Sequence, residues 1–62
     1  MARVSLQKAM ELSGIQGWKL TRPQKEFLLE GTEEMLNRLG AEWFKENQWR
    51  LREELRIVFK EL

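Results

Sequence analysis

MLNRLGAEWF, residues 35–44, holds the point at which two apolar helical stripes change phase. Before it, at 100° per residue, Leu28, Gly31, Thr32, Met35 and Leu39 fall within about 60° of one direction, with Leu29 and Leu36 widening one flank and Phe27 the other. After it, Ala41, Phe44, Leu51, Leu55, Val58, Phe59 and Leu62 form a second stripe in which Gln48 fills the one polar position. Carried through Gly40 without a break, the two stripes would lie roughly 160 to 180° apart, so a single rod would show apolar faces on opposite sides. A tight turn at Gly40 lets the faces meet. The expected fold is therefore all-α, with an antiparallel hairpin of two helices, Arg22–Leu39 and Ala41–Leu62.

Working outward, Thr21, Arg22, Pro23 and Gln24 match a capping box, with proline in the first turn where its missing N–H costs nothing. Leu20 takes the place of a hydrophobic-staple residue but faces Lys25. Gly40 suits the end of that helix, and Arg38 puts a cation in its last turn. Upstream, Ser5 is placed to cap a short helix over Leu6–Ser13 that Gly14 would stop, and Ile15, Trp18 and Leu20 follow as an apolar tether. The reading is one small domain over residues 1–62, with the short helix and tether in 1–20 and the hairpin in 21–62. Two helices seal only one seam. The short helix, a second copy of the chain forming a larger helical bundle, or both must supply the remaining layer. Gly31 lies on the inward side of its helix, which predicts close approach of a neighbouring backbone or of a ring such as Trp18 or Phe44.

Composition narrows the chemistry. The 62 residues carry 11 Lys plus Arg against 10 Glu, a formal charge of +1, so bulk charge does not mark a polyelectrolyte ligand. There is no Cys, His, Asp or Tyr. Disulfides, thiolate or imidazole metal sites, thiol nucleophiles and a histidine base are excluded with them. Glu26, Glu30, Glu33 and Glu34 cluster in sequence, as do Glu53 and Glu54, but a carboxylate-rich di-iron bundle needs Glu-x-x-His pairs. The glycines match neither a dinucleotide fingerprint nor a phosphate loop. The expectation is a protein that is not an enzyme and takes no cofactor or metal. Arg3, Gln7, Lys8 and Glu11 interrupt the apolar residues from Val4 to Leu12, and no membrane-length apolar run occurs, so a cytoplasmic, membrane-free protein is expected.

Three tryptophans remain, Trp18, Trp43 and Trp49. On the last helix Trp43 and Trp49 sit about 120° to either side of Leu55, off the main stripe. Trp43, Arg50 and Ile57 recur at intervals of seven, the spacing of a seam for another helix. The expected function is a small protein–protein interaction or regulatory module, partnered by another protein or by a second copy of itself. Its interface would be Trp43, Trp49 and Ile57 buried by a facing helix, with Arg50 and Arg56 contacting partner carboxylates. Charge also runs in blocks that could set a register between copies. Residues 30–48 hold five Glu and two basic side chains, and residues 49–62 four basic side chains and three Glu. The rival reading is a DNA-binding regulator. VSLQKAMELSGI, residues 4–15, is similar to the first helix and turn of a helix-turn-helix, and Arg3, Lys8, Lys19, Arg22 and Lys25 would form its basic patch. Gly17 and Pro23 break the segment where a recognition helix would have to follow.

Overall fold

A computed structural model describes residues 3–62 and contains three α-helices among them. They are α1 (Leu6–Ser13), α2 (Arg22–Leu39) and α3 (Ala41–Val58), the last running into a single 3-10 turn, Phe59–Glu61. The third helix thus ends its α-helical course short of Leu62, because its final turn tightens to i→i+3 bonding, as helix ends commonly do. The Cα radius of gyration is 10.6 Å and the principal extents are 26 × 22 × 18 Å. An unbroken rod of the same two long segments would measure about 60 Å. The chain therefore reverses, and it does so at one residue. Gly40 closes α2, its N–H donating to the Leu36 carbonyl at 3.1 Å, and opens α3 at once. Its φ of +83° and ψ of 170° lie where side-chain-bearing residues are strained.

The remaining termini are secured as their residue types require. The Ser5 hydroxyl accepts from the Lys8 N–H at 3.1 Å, and Oε1 of Gln24 accepts from the Thr21 N–H at 2.8 Å. At the end of α1, Gly14 has φ +70°, its N–H donates to the Glu11 carbonyl, and the Ile15 N–H reaches back to the Met10 carbonyl. That is a Schellman closure, and it turns Ile15 into the core, where it is completely buried.

The two arms of the hairpin splay. Their backbones approach α1 more extensively than they approach each other. Small residues explain the wedge: Ala9 and Ser13, four apart on α1, are both buried and let the α1 backbone come close to α2 and α3. Around them gather Ile15, Leu28, Phe44, Leu51, Leu55 and Phe59. At the open end Phe59 ties the pieces together. Its ring meets Trp18 and Phe27 edge-on at centroid distances of 6.3 and 6.1 Å. Its carbonyl accepts from Nε2 of Gln24 at 2.9 Å, so the start of α2 lies beside the end of α3, as an antiparallel pair demands.

Gln48 explains the polar gap in the second stripe. Its Nε2 donates to the Glu11 carbonyl at 2.8 Å, which also takes the Gly14 N–H, and lies 3.4 Å from that of Leu12, so it adds a donor to the last carbonyls of α1. A Cβ on Gly14 would fall 2.8 Å from Cγ of Gln48, so glycine there answers to both its φ and its neighbour.

Two expectations are corrected. Leu39 stands on the first stripe but is exposed, because the splay carries the end of α2 away from the core. Gly31 admits neither a ring nor a neighbouring backbone: apart from its own helical turn and chain neighbours, nothing lies within 4 Å of where its Cβ would stand. Its freedom from neighbours makes it a helix-weakening residue with room to spare. Gly31→Ala should stabilise the domain by about 1 kcal/mol, raising Tm by roughly 4–8 °C, whereas Gly40→Ala should cost about 1–3 kcal/mol. Thermal unfolding followed by circular dichroism checks both. A lower Tm for Gly31→Ala would show a neighbour packed on that site.

Candidate protein interface

The outer face of α3 consists of what the core leaves over. With Phe44, Leu51 and Leu55 turned inward, residues about 120 to 180° away reach solvent, among them Glu46, Trp49 and Ile57, with Glu53 half-buried. Trp49 is 76% exposed and Ile57 68%. One would expect side chains of that size to be at least half covered in a free-standing domain. They stand two turns apart, about 12 Å along the axis, with Glu53 between them.

Charge frames the pair. Arg56 Nη1 lies 3.6 Å from Glu53 Oε1, and Arg50 Nε lies 3.5 Å from Glu54 Oε1. Arg50, Glu54 and Arg56 are well exposed and Glu53 is half-exposed, so these pairs hold the folded chain together only weakly and leave the guanidinium groups accessible to another carboxylate. Lys45, Arg52 and Lys60 complete an exposed basic rim, with Glu42 and Glu46 at its N-terminal end.

The other tryptophans are engaged within the chain. Trp43 is half-buried, edge-on to Phe44 at 5.4 Å, and its carbonyl accepts from Nδ2 of Asn47 at 2.9 Å. Trp18 is half-buried against Phe59. Of the five residues expected at the interface, the structure leaves Trp49, Arg50, Arg56 and Ile57 exposed on α3 and turns Trp43 toward the margin of the core. The interval of seven through Trp43, Arg50 and Ile57 is therefore not a uniform seam. The exposed apolar pair is Trp49 and Ile57, a spacing of eight that skips Trp43.

The five basic residues of the rival reading are all exposed but divide into separate places. The Val4 N–H lies 3.4 Å from Glu33 Oε2, which sets Arg3 beside a carboxylate eleven residues beyond Arg22, about 16 Å along α2. Lys8 is on α1. Lys19, Arg22 and Lys25 lie at the start of α2, where Arg22 Nε is 3.5 Å from Glu26 Oε1.

One partly open hollow lies apart from this face. A cavity of about 70 Å³ lies between Leu28, Gly31, Met35, Phe44 and Leu51, where the arms part. That is under half the roughly 150 Å³ that accommodates a benzene ring. The Ser13 hydroxyl borders it, buried, with no hydrogen-bond partner among the described residues. Among those residues no three carboxylate, imidazole or thiol groups converge where they could hold a metal ion, and no helix is long and apolar enough to cross a membrane. Comparison of the chain with models of known protein families, with curated proteins and with solved structures finds no match.

An unpaired buried hydroxyl is a liability in a helix that alanine would favour. Ser13→Ala should raise stability by about 1 kcal/mol, a Tm increase of roughly 4–8 °C. A fall in Tm would reveal that the hydroxyl has a partner after all.

Proposed function

We propose that this chain is a small helical module that binds another protein through the outer face of α3. Trp49 and Ile57 serve as apolar anchors, and Arg50 and Arg56 receive partner carboxylates. The observation that carries the reading is the 76% exposure of Trp49 in a chain that tucks its other two tryptophans against phenylalanines. Trp and Arg are the residues that most often supply binding energy once a partner excludes water around them. An exposed indole flanked by an isoleucine and guanidinium groups brings these ingredients onto one helix face. Such a face suits another helix, laid so that its own apolar residues cover the two anchors.

The geometry gives the nucleic-acid reading less support. The basic residues it needs are spread over α1 and both ends of the Arg3 to Arg22 separation, with Glu26 and Glu33 set among them.

The experiment is photo-cross-linking in cells that make the protein. Benzoyl-phenylalanine at position 49 should give discrete adducts that Ile57→Ser suppresses. The same probe at Glu30, exposed on the far side of α2, should give none of them. Because Ile57 is exposed in the single chain, Ile57→Ser should leave the unfolding stability of the unassociated chain within about 0.5 kcal/mol of the parent's. Identical adducts from positions 49 and 30, or none from 49, would contradict this function.

A further inference from the structure

We infer that the occupant of this face is a second copy of the chain, its α3 lying antiparallel to the first about a two-fold axis at Glu53. The inference rests on the interface reading above and names its partner. It comes from how the charged and apolar residues of the outer face are ordered. In an antiparallel pair centred on Glu53, each residue shares a layer with the one equally far from Glu53 on the other helix. Trp49 and Ile57 are each four residues from that centre, so each tryptophan meets an isoleucine. Glu46 and Lys60 are each seven away, so each carboxylate meets an ammonium. Arg56 falls on the same flank as the other copy's Trp49, within reach of the face of the ring. Glu53 meets its own image, and Arg50 shares a layer with the other copy's Arg56, the two guanidinium groups standing on opposite flanks about 60° to either side of Glu53. Arg56, 3.6 Å from Glu53 of its own chain, also lies beside the other copy's Glu53 and offsets the paired carboxylates.

The alternatives fit less well. A parallel pair in register would put Glu46 against Glu46 and Lys60 against Lys60. Like charges directly opposed at an interface select against that arrangement. The larger charge pattern points the same way. Residues 30–48, which flank Gly40, carry five Glu and two basic side chains. At the other end of the hairpin the exposed cations Lys19, Arg22, Lys25, Arg56 and Lys60 outnumber the exposed carboxylates Glu26 and Glu61. Side-by-side antiparallel copies bring the acidic end of each to the basic end of the other. Because both copies present the same patch, the contact closes as a two-fold dimer and leaves no free end to propagate.

Glu46 and Lys60 are fourteen residues apart on one chain, about 21 Å, and cannot pair within it. That separation makes a charge exchange diagnostic. Sedimentation equilibrium of the parent chain should give twice 7.5 kDa. Glu46→Lys and Lys60→Glu should each weaken the dimer about tenfold or more, since the two-fold axis repeats each like-charge clash. The double variant should recover to within about threefold of the parent. Circular dichroism confirms that each variant remains folded. A dimer that Trp49→Ser dissociates but the exchanges leave unchanged would overturn the antiparallel register. A chain that stays at 7.5 kDa at millimolar concentration would overturn self-pairing, while cross-linking at position 49 tests the face itself.

Discussion

The backbone of Gly40 is the constraint from which the other features follow. One residue joins two helices of eighteen residues each, with no loop to share the change of direction. Its left-handed φ is what allows the last N–H of α2 to remain bonded while α3 starts at the next residue. A reversal that short brings two apolar stripes round to one side but does not press them together. The arms part from the turn, and the gap between them is where α1 lies. Ala9 and Ser13 are small enough to sit in it, and the Schellman closure drops Ile15 in behind them. The amide of Gln48 then ties the end of α1 to α3. At the far end Phe59, Trp18, Phe27 and Gln24 shut the opening.

Much of this was legible in the residues themselves because it depends on local chemistry. Ser5, Gly14, the Thr21 to Gln24 box and Gly40 each act at the position where their side chain, or its absence, suits a helix end. Phase arithmetic found the reversal, since it asks only which way each stripe faces. It could not find the angle between the arms. That angle exposes Leu39 and leaves open space beside Gly31. Nor could a helical wheel say which flank of α3 the rest of the chain would cover. Trp43 and Trp49 stand at equal offsets from Leu55, and only the fold shows that Trp43 is the one turned inward. Gln48 read as a blemish in an apolar stripe because its partners, carbonyls on α1, lie more than thirty residues away in sequence.

The same geometry bears on function. A domain of this size buries only about 60% of the surface its unfolded chain would expose, so its apolar side chains are scarce and most are used. Against that background two large ones, Trp49 and Ile57, stand on the face of α3 farthest from α1. The charges beside them lean acidic toward Gly40 and basic toward Lys60, with Lys45, Glu53, Glu54 and Glu61 set among them. Hydrophobic anchors supply affinity, and ordered charge supplies orientation. The proposed interface draws on both, and it uses residues on which the fold does not depend.

The reversal itself is tested most directly by nuclear Overhauser contacts within one isotope-labelled chain diluted into unlabelled protein. The account predicts contacts from the Phe59 ring to those of Trp18 and Phe27, and from Leu28 methyls to Leu55. Sequential helical contacts running unbroken from Asn37 to Trp43, with none between Phe27 and Phe59, would mean that the chain does not turn at Gly40.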